Sequence, residues 1–268
     1  MNGPRTLAEH ADIFRTKVGA AYPGSHAVFR GHEVHTDLRE LDWLSLYAFG
    51  IFGRHIPSAQ LQLFNSAWVW TTYPDSRLWN NRVAALAGTT RSTPTLAISA
   101  AQALSEATIY GRGSEFRSLH FFLRTQRALD AGSTLSDHLE QFLRGGGRMA
   151  GYGRPISSVD ERVPLTLGRA KELGLADGPY VALAFEIDRY FESTGRPLRM
   201  NVSALLSAFA ADFGWTPREY NSFMFLTFLA GMYPCYLEAA DKPPAAILAL
   251  RCADVKYEGV APRPWPGA

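Results

Sequence analysis

Arg144-Gly-Gly-Gly-Arg-Met-Ala-Gly-Tyr-Gly-Arg-Pro155, followed closely by Val159-Asp-Glu-Arg162, is a long glycine-rich break in a chain whose other segments mostly carry helical spacing. Glycine at this density removes Cβ atoms and admits backbone conformations closed to other residues, so the segment reads as a loop. Composition leaves two readings open. The loop is a hinge between helices, or its exposed backbone N–H groups, with Arg144, Arg148 and Arg154, approach an anionic ligand.

Upstream of the loop the helix signals recur. Leu41, Leu44, Ala48 and Ile51 share one helical face, and Gly53 and Pro57 stop the run. Ser58 opens a second helix carrying Leu61, Phe64 and Trp68, ended by Pro74. A third spans Asn80 to Ala87 and meets Gly88 at a C-terminal position, and Thr93-Pro94 starts a fourth. Ser114 is placed to cap the next, with Phe116, Leu119, Leu123 and Leu129, and Ser133 starts a shorter one.

Downstream, helices are expected at Arg162 to Leu173 and Pro179 to Phe191. Asn201 caps Val202 to Phe213, and Thr216-Pro217-Arg218-Glu219 is a capping box before an apolar helix to about Gly231. Only 246–253 and 255–257 look extended, and the Pro-rich 261–268 reads as a tail. The reading is all-α, without repeats or a low-complexity linker.

Bulk composition narrows the function. A length of 268 residues with 47% hydrophobic and 19% charged residues suits a globular core. A net charge of +2 gives no electrostatic case for nucleic acid or an anionic membrane surface. Lys17, Lys171, Lys242 and Lys256 are the only lysines; the other cations are arginines, whose planar fork suits carboxylates and phosphates. The N-terminus shows no secretory h-region, and no uninterrupted apolar run reaches the roughly 20 residues of a membrane span. Cys235 and Cys252 admit one bridge at most, and a reduced cytoplasmic setting is expected.

Several motifs lack their context. His32-Glu33-Val34-His35 resembles a metal-binding helix motif, but the histidines are not one turn apart and no metal site is expected. Gly111-Arg112-Gly113 follows no strand, which removes a dinucleotide reading. No nucleophile elbow or phosphate loop occurs.

The glycine-rich loop is also where a resemblance starts. Gly151-Tyr-Gly-Arg-Pro155, Val159-Asp-Glu-Arg162 and Leu173-Gly-Leu175 resemble the Gly-Phe-Gly-His…Asp-Pro-Arg segment of citrate synthases and citryl-CoA lyases. Arg196-Pro-Leu-Arg-Met-Asn-Val-Ser203 resembles their Asn-Val-Asp segment, and Phe29-Arg30-Gly31 their Arg-Gly-Tyr. Asn81 to Gly88 is similar to their Arg-Val-Val-Ala-Ser-Thr-Gly helix, and Ser105 to Glu115 falls at their His-Gly-Gly-Ala-Asn-Glu turn. The order is kept over about 29–257, and the length matches the short, citryl-CoA-lyase-like branch.

The resemblance implies a two-lobed, citrate-synthase-like helical fold with an active-site cleft between a large lobe, 1–112 with 216–268, and a small lobe, 113–215. It also implies a homodimer. In that family one histidine serves the acyl-CoA enol, an aspartate moves the methyl proton, a second histidine serves the oxo acid and arginines hold carboxylates. Here those catalytic positions fall on Tyr110, Ser203 and Arg154 respectively. An upstream substrate-binding histidine falls near Thr72 and another near Cys235. Arg162 keeps the carboxylate-clamp position, with Arg251 a candidate for the C-terminal arginine. CoA, held in the family largely by loop backbone, would meet Gly151 and Gly153, with Arg148 nearby.

These replacements bear on chemistry. A serine without a histidine partner is no general base at neutral pH, and arginine stays protonated. Tyr110 can donate a hydrogen bond or act as an acid of high pKa. Ordinary condensation of acetyl-CoA with oxaloacetate is therefore not expected. Two functions remain. One is a divergent enzyme that makes or breaks a carbon–carbon bond beside a carbonyl, or runs a related decarboxylation, dehydration or cyclisation. Its substrate would be a small carboxylate, with a CoA thioester admitted as substrate and no cofactor required. The alternative is a non-catalytic scaffold, a ligand-binding module or partner subunit.

Overall fold

The computed structural model describes residues 3–107, 111–154, 159–247 and 252–266. It is dominated by helices. Along the chain come α1 (Gly3–His10), three short strands β1 (Gly19–Tyr22), β2 (His26–Phe29) and β3 (His32–Glu33), then α2 (Trp43–Phe52), α3 (Ser58–Thr71), α4 (Trp79–Thr89) and α5 (Pro94–Leu104). There follow α6 (Arg112–Asp130), α7 (Leu135–Arg144), α8 (Arg162–Glu172), α9 (Pro179–Ser193), α10 (Val202–Asp212), α11 (Pro217–Phe223) and α12 (Leu229–Asp241).

The sequence expectation of an all-α chain therefore holds, with local corrections. The strands form an antiparallel sheet in the order β1-β2-β3, with Gly19 opposite Phe29 and Tyr22 opposite His26. Nothing was expected there, because four-residue strands of Ala, His and Gly carry no alternating pattern. The extended 246–257 was expected instead; its described part includes a 3₁₀ turn at Cys252–Asp254, and 248–251 lie outside the described residues. Pro217–Asp241 is long and apolar enough, by length and composition, to cross a membrane, although polar residues interrupt its apolar run. It is interrupted at Phe228, whose φ of 74° breaks the helix before α12.

Two compact units divide the chain: Met1–Thr71 with Glu106–Thr227, and Thr72–Ser105 with Phe228–Ala268. In the first unit, α10 lies against both α6 and α9. Its apolar body has one cluster around Phe122, Leu139, Ile187, Phe191 and Phe209, and another around Phe52, Phe64, Leu206, Trp215 and Phe223. The second cluster draws α2 and α3 to α10 and α11 by packing. In the second unit α12 lies along α4, with Ala84, Ala97, Ile98, Met232 and Tyr236 buried between them and α5.

Capping explains where the first unit's helices start. Thr216 and Glu219 form the expected capping box of α11. At α9 the N-cap is Gly178, which offers no side chain, and the Asp212 carboxylate accepts from Tyr180 N at 2.8 Å and Val181 N at 3.1 Å. Helix α6 is capped three residues earlier than expected: Gly111 holds the N-cap position and Arg112 is already helical. That change releases the Ser114 hydroxyl for a contact described below.

Candidate active site

The glycine loop is stitched to the start of α10. Tyr152 pairs with Met200 in an isolated antiparallel bridge, and Gly153 N donates to Arg199 O at 2.6 Å. Asn201 does three jobs. Its N–H donates to Gly151 O at 2.9 Å, its Nδ2 donates to Gly153 O at 2.9 Å, and its Oδ1 accepts from Ser203 N and Ala204 N. The expected cap is thus also a clasp on the loop. Gly151 is required there: its φ is 83°, and an added Cβ would lie 2.5 Å from Ser118 Oγ and 2.7 Å from Ala204 Cβ.

Asp160 organises the charge. Its side chain is fully buried, and Arg162 grips it through two bonds, Nε to Oδ1 at 2.8 Å and Nη2 to Oδ2 at 2.7 Å. Arg162 N and Val202 N complete the carboxylate's shell at 3.1 and 2.9 Å. Burial pushes this carboxyl up; the bonds and charge of Arg162, with the two N–H groups, outweigh it, and the net shift is below the ordinary range. Arg154 Nη1 lies 3.8 Å from Asp160 Oδ1, and donates to Val159 O at 3.0 Å and Glu161 Oε2 at 2.6 Å. Both side chains keep some exposure to solvent, 18% for Arg154 and 15% for Arg162.

The expected residues therefore divide. Arg154, Arg162, Gly151, Gly153 and Ser203 come together at the start of α10, within one unit. Arg162 does clamp a carboxylate, and that carboxylate is the chain's own Asp160. Ser203 Oγ meets Ser114 Oγ at 3.3 Å, and Ser207 Oγ donates to Ser203 O at 2.7 Å. Arg148 is exposed on the loop, and Thr72 belongs to the second unit. Tyr110 and Arg251 lie outside the described residues.

Glu115 carries no role in the sequence expectations. It is 5% exposed, and its Oε2 has no hydrogen-bond partner. Burial pushes its carboxyl up to about 7, against the pull of Arg112 and Arg162. Arg112, 2% exposed, donates to Phe225 O at 2.8 Å and Glu106 Oε1 at 3.0 Å. Helical spacing was the available signal. Glu115 shares its face with Leu119 and Phe122, both fully buried, which places a carboxylate in the core.

The helical architecture defines a citrate synthase-like fold. The structure is similar to that of the citryl-CoA lyase from Hydrogenobacter thermophilus, with a TM-score of 0.80, 18% identity and coverage of 95% of this chain and 98% of that one. It is also similar to a mutant ATP citrate lyase from Methanosaeta concilii in complex with (3S)-citryl-CoA, with a TM-score of 0.72 and 16% identity. That match covers 96% of this chain and 44% of the other. The citrate synthase from Thermoplasma acidophilum, in a ternary complex with carboxymethyl coenzyme A and oxaloacetate, gives a TM-score of 0.62 at 15% identity, covering 84% and 58%. No protein-family model and no curated protein sequence matches the chain.

Proposed function

We propose that the chain is a divergent citrate synthase-like enzyme that binds a small carboxylate-bearing substrate, a CoA thioester included, at the Arg154–Arg162 face. The observation that carries this reading is the convergence of two part-exposed arginine side chains on one buried carboxylate beside the α10 N-terminus. Val202, Ser203 and Ala204 N–H groups are already taken by Asp160 and Asn201, so helix-end N–H groups are not the anion receptor. The arginine forks are. Arg162 is held by Asp160 and Arg154 by Val159 O and Glu161, so their positive charge meets a substrate carboxylate or an enolate without reorganising. The reaction makes or breaks a carbon–carbon bond beside a carbonyl, or is a related decarboxylation, dehydration or cyclisation. Ordinary citrate synthesis is set aside because Arg154 and Ser203 stand where the family has acid–base groups. A homodimer and a cytoplasmic setting complete the proposal. Exposed Tyr233 and Leu237, one turn apart on α12, support the first, and the free thiol of Cys235 the second.

A non-catalytic scaffold is the second reading, favoured by the engagement of both arginines with Asp160, Val159 and Glu161. Thermal unfolding with CoA, acetyl-CoA, oxaloacetate, citrate and malate separates the two. A compound that binds only the native state at a hundredfold excess over its Kd stabilises it by about 2.7 kcal/mol. The enzyme reading expects stabilisation by at least one carboxylate, lost in Arg154→Ala. No shift with any compound moves the scaffold reading ahead.

A further inference from the structure

We infer that Glu115 is the proton-exchanging group of this site: its buried carboxyl takes up a proton from solvent when an anion occupies the Arg154–Arg162 face, and gives it up when that charge is discharged. The inference rests on the proposed carboxylate site. It supplies an acid–base group to a place where 154 and 203 hold residues that cannot serve as one.

The geometry links the two. Glu115 sits in the first turns of α6, and its neighbour Ser114 touches Ser203 at 3.3 Å. Ser207 Oγ donates to Glu115 O at 3.0 Å and also reaches Ser203 O. Ser118, one turn below Ser114, is fully buried with an Oγ that has no partner, and it faces Gly151 of the loop. A buried carboxyl oxygen and a buried hydroxyl without partners are costly in a merely structural core, where such groups are normally satisfied.

The charged and titratable groups acting on the carboxyl come from three elements. Arg112 lies on its own helix, Arg162 on α8 and Tyr220 on α11. Both arginines favour the ionised form, and burial opposes them. An anion bound against Arg162 offsets that arginine's charge, so the balance tips to the neutral acid and one proton enters per carboxylate neutralised. Tyr220 is buried and its own hydroxyl is raised well above the usual range, so it stays neutral and contributes no competing proton.

Calorimetry of malate and pyruvate binding near neutral pH, in two buffers of different ionisation enthalpy, tests this. Both compounds are fully ionised there, so any proton taken up belongs to the protein. The wild-type chain is expected to take up a substantial fraction of a proton per molecule bound, and Glu115→Gln to bind with none. Wild-type binding without uptake, or undiminished uptake in Glu115→Gln, overturns the assignment and leaves the carboxylate site standing. Should neither bind, oxaloacetate, also fully ionised there, takes their place; binding of none of the three, with no carboxylate stabilising the chain in thermal unfolding, overturns both. Should Glu115→Gln fail to fold, the carboxyl ¹³C resonances of glutamate-labelled wild type decide: one must move to the protonated position on adding malate, and no movement overturns the assignment.

Discussion

The α4–α12 seam of the second unit and the α6–α10 seam of the first are both built on small residues, and they bury different polar groups. Along α4 the buried polar side chains are neutral: Asn80, Asn81 and Thr89, with Ser105 beyond α5. Asn80 Nδ2 bonds Ser105 Oγ at 3.2 Å, and Asn81 Nδ2 bonds Tyr73 O at 2.5 Å. Along the other seam the buried polar groups include charged ones, Arg112 and Glu115, beside the neutral Ser118, Thr125 and Ser207. Among the described residues Arg112, Glu115 and Asp160 are the buried Arg, Lys, Asp and Glu side chains, and all three belong to the first unit. Burying a carboxylate costs several kcal/mol unless it is paired, so a fold keeps one where its geometry or chemistry needs it. Asp160 is paired on every side. Glu115 is not, and that difference separates a structural carboxylate from a working one.

The largest effects should come from adding one methyl group to each seam. Gly88 presses against the Tyr236 carbonyl of α12, and Gly151 against Ser118 and Ala204. Overpacking typically costs 1–3 kcal/mol, and Gly151, at φ 83°, adds backbone strain of about 1–2 kcal/mol. Gly151→Ala should therefore lose roughly 3 kcal/mol. Gly88→Ala should lose about 2 kcal/mol, because alanine's helix propensity returns part of the loss. Denaturant unfolding measures both. Carboxylate affinity in the folded fraction should fall only for Gly151→Ala, whose loop carries Arg154. An equal fall in Gly88→Ala would dissolve the functional distinction between the seams.

Much of this contrast was legible before the structure. The loop glycines, the Asn201 cap and the Thr216 capping box declare themselves through residues whose backbone behaviour is local. The apolar face expected of α6, with Phe116, Leu119 and Leu123, left Glu115 out, although it stands one turn before the buried Leu119. What sequence could not supply were pairings across the chain. Arg162 reads as a clamp for a ligand until Asp160, two residues away, is seen to fold back beneath it with Val202 N on its other oxygen. Ser114 reads as a helix cap until α6 is found to begin at Arg112. The β1–β3 hairpins are held by backbone pairing and carry almost no side-chain pattern.

Glu115→Gln sharpens the comparison through pH. The native carboxyl titrates at about 7 and an unfolded one near 4.5. Between those values the native state holds the extra proton, so ionisation favours unfolding and stability falls as pH rises, levelling off above about 7. The span corresponds to a loss on the order of 3 kcal/mol across that window. Asp160 runs the other way: its depressed carboxyl stabilises the fold above the usual aspartate range, and that contribution fades as pH falls below it. Glu115→Gln should flatten the decline between pH 4.5 and 7 and leave the acid limb in place. A wild-type curve flat over that window would mean that Glu115 is ionised in the native state.

Ser203→Ala should show the smallest change in stability and the most informative one in binding. The hydroxyl's described contact is a 3.3 Å approach to Ser114 Oγ, long for an O–H···O bond. Its backbone N–H, not its side chain, serves the cap with Asn201. Removing the hydroxyl should cost no more than about 1 kcal/mol. If Ser203 orients a substrate carboxylate or a water, malate affinity should drop well beyond that loss of stability, because the group left unpaired is then on the bound molecule. If affinity is unchanged, Ser203 is a first-turn serine that fits between α6 and α10, and the polar chemistry of the seam contracts to Arg154, Arg162 and Glu115.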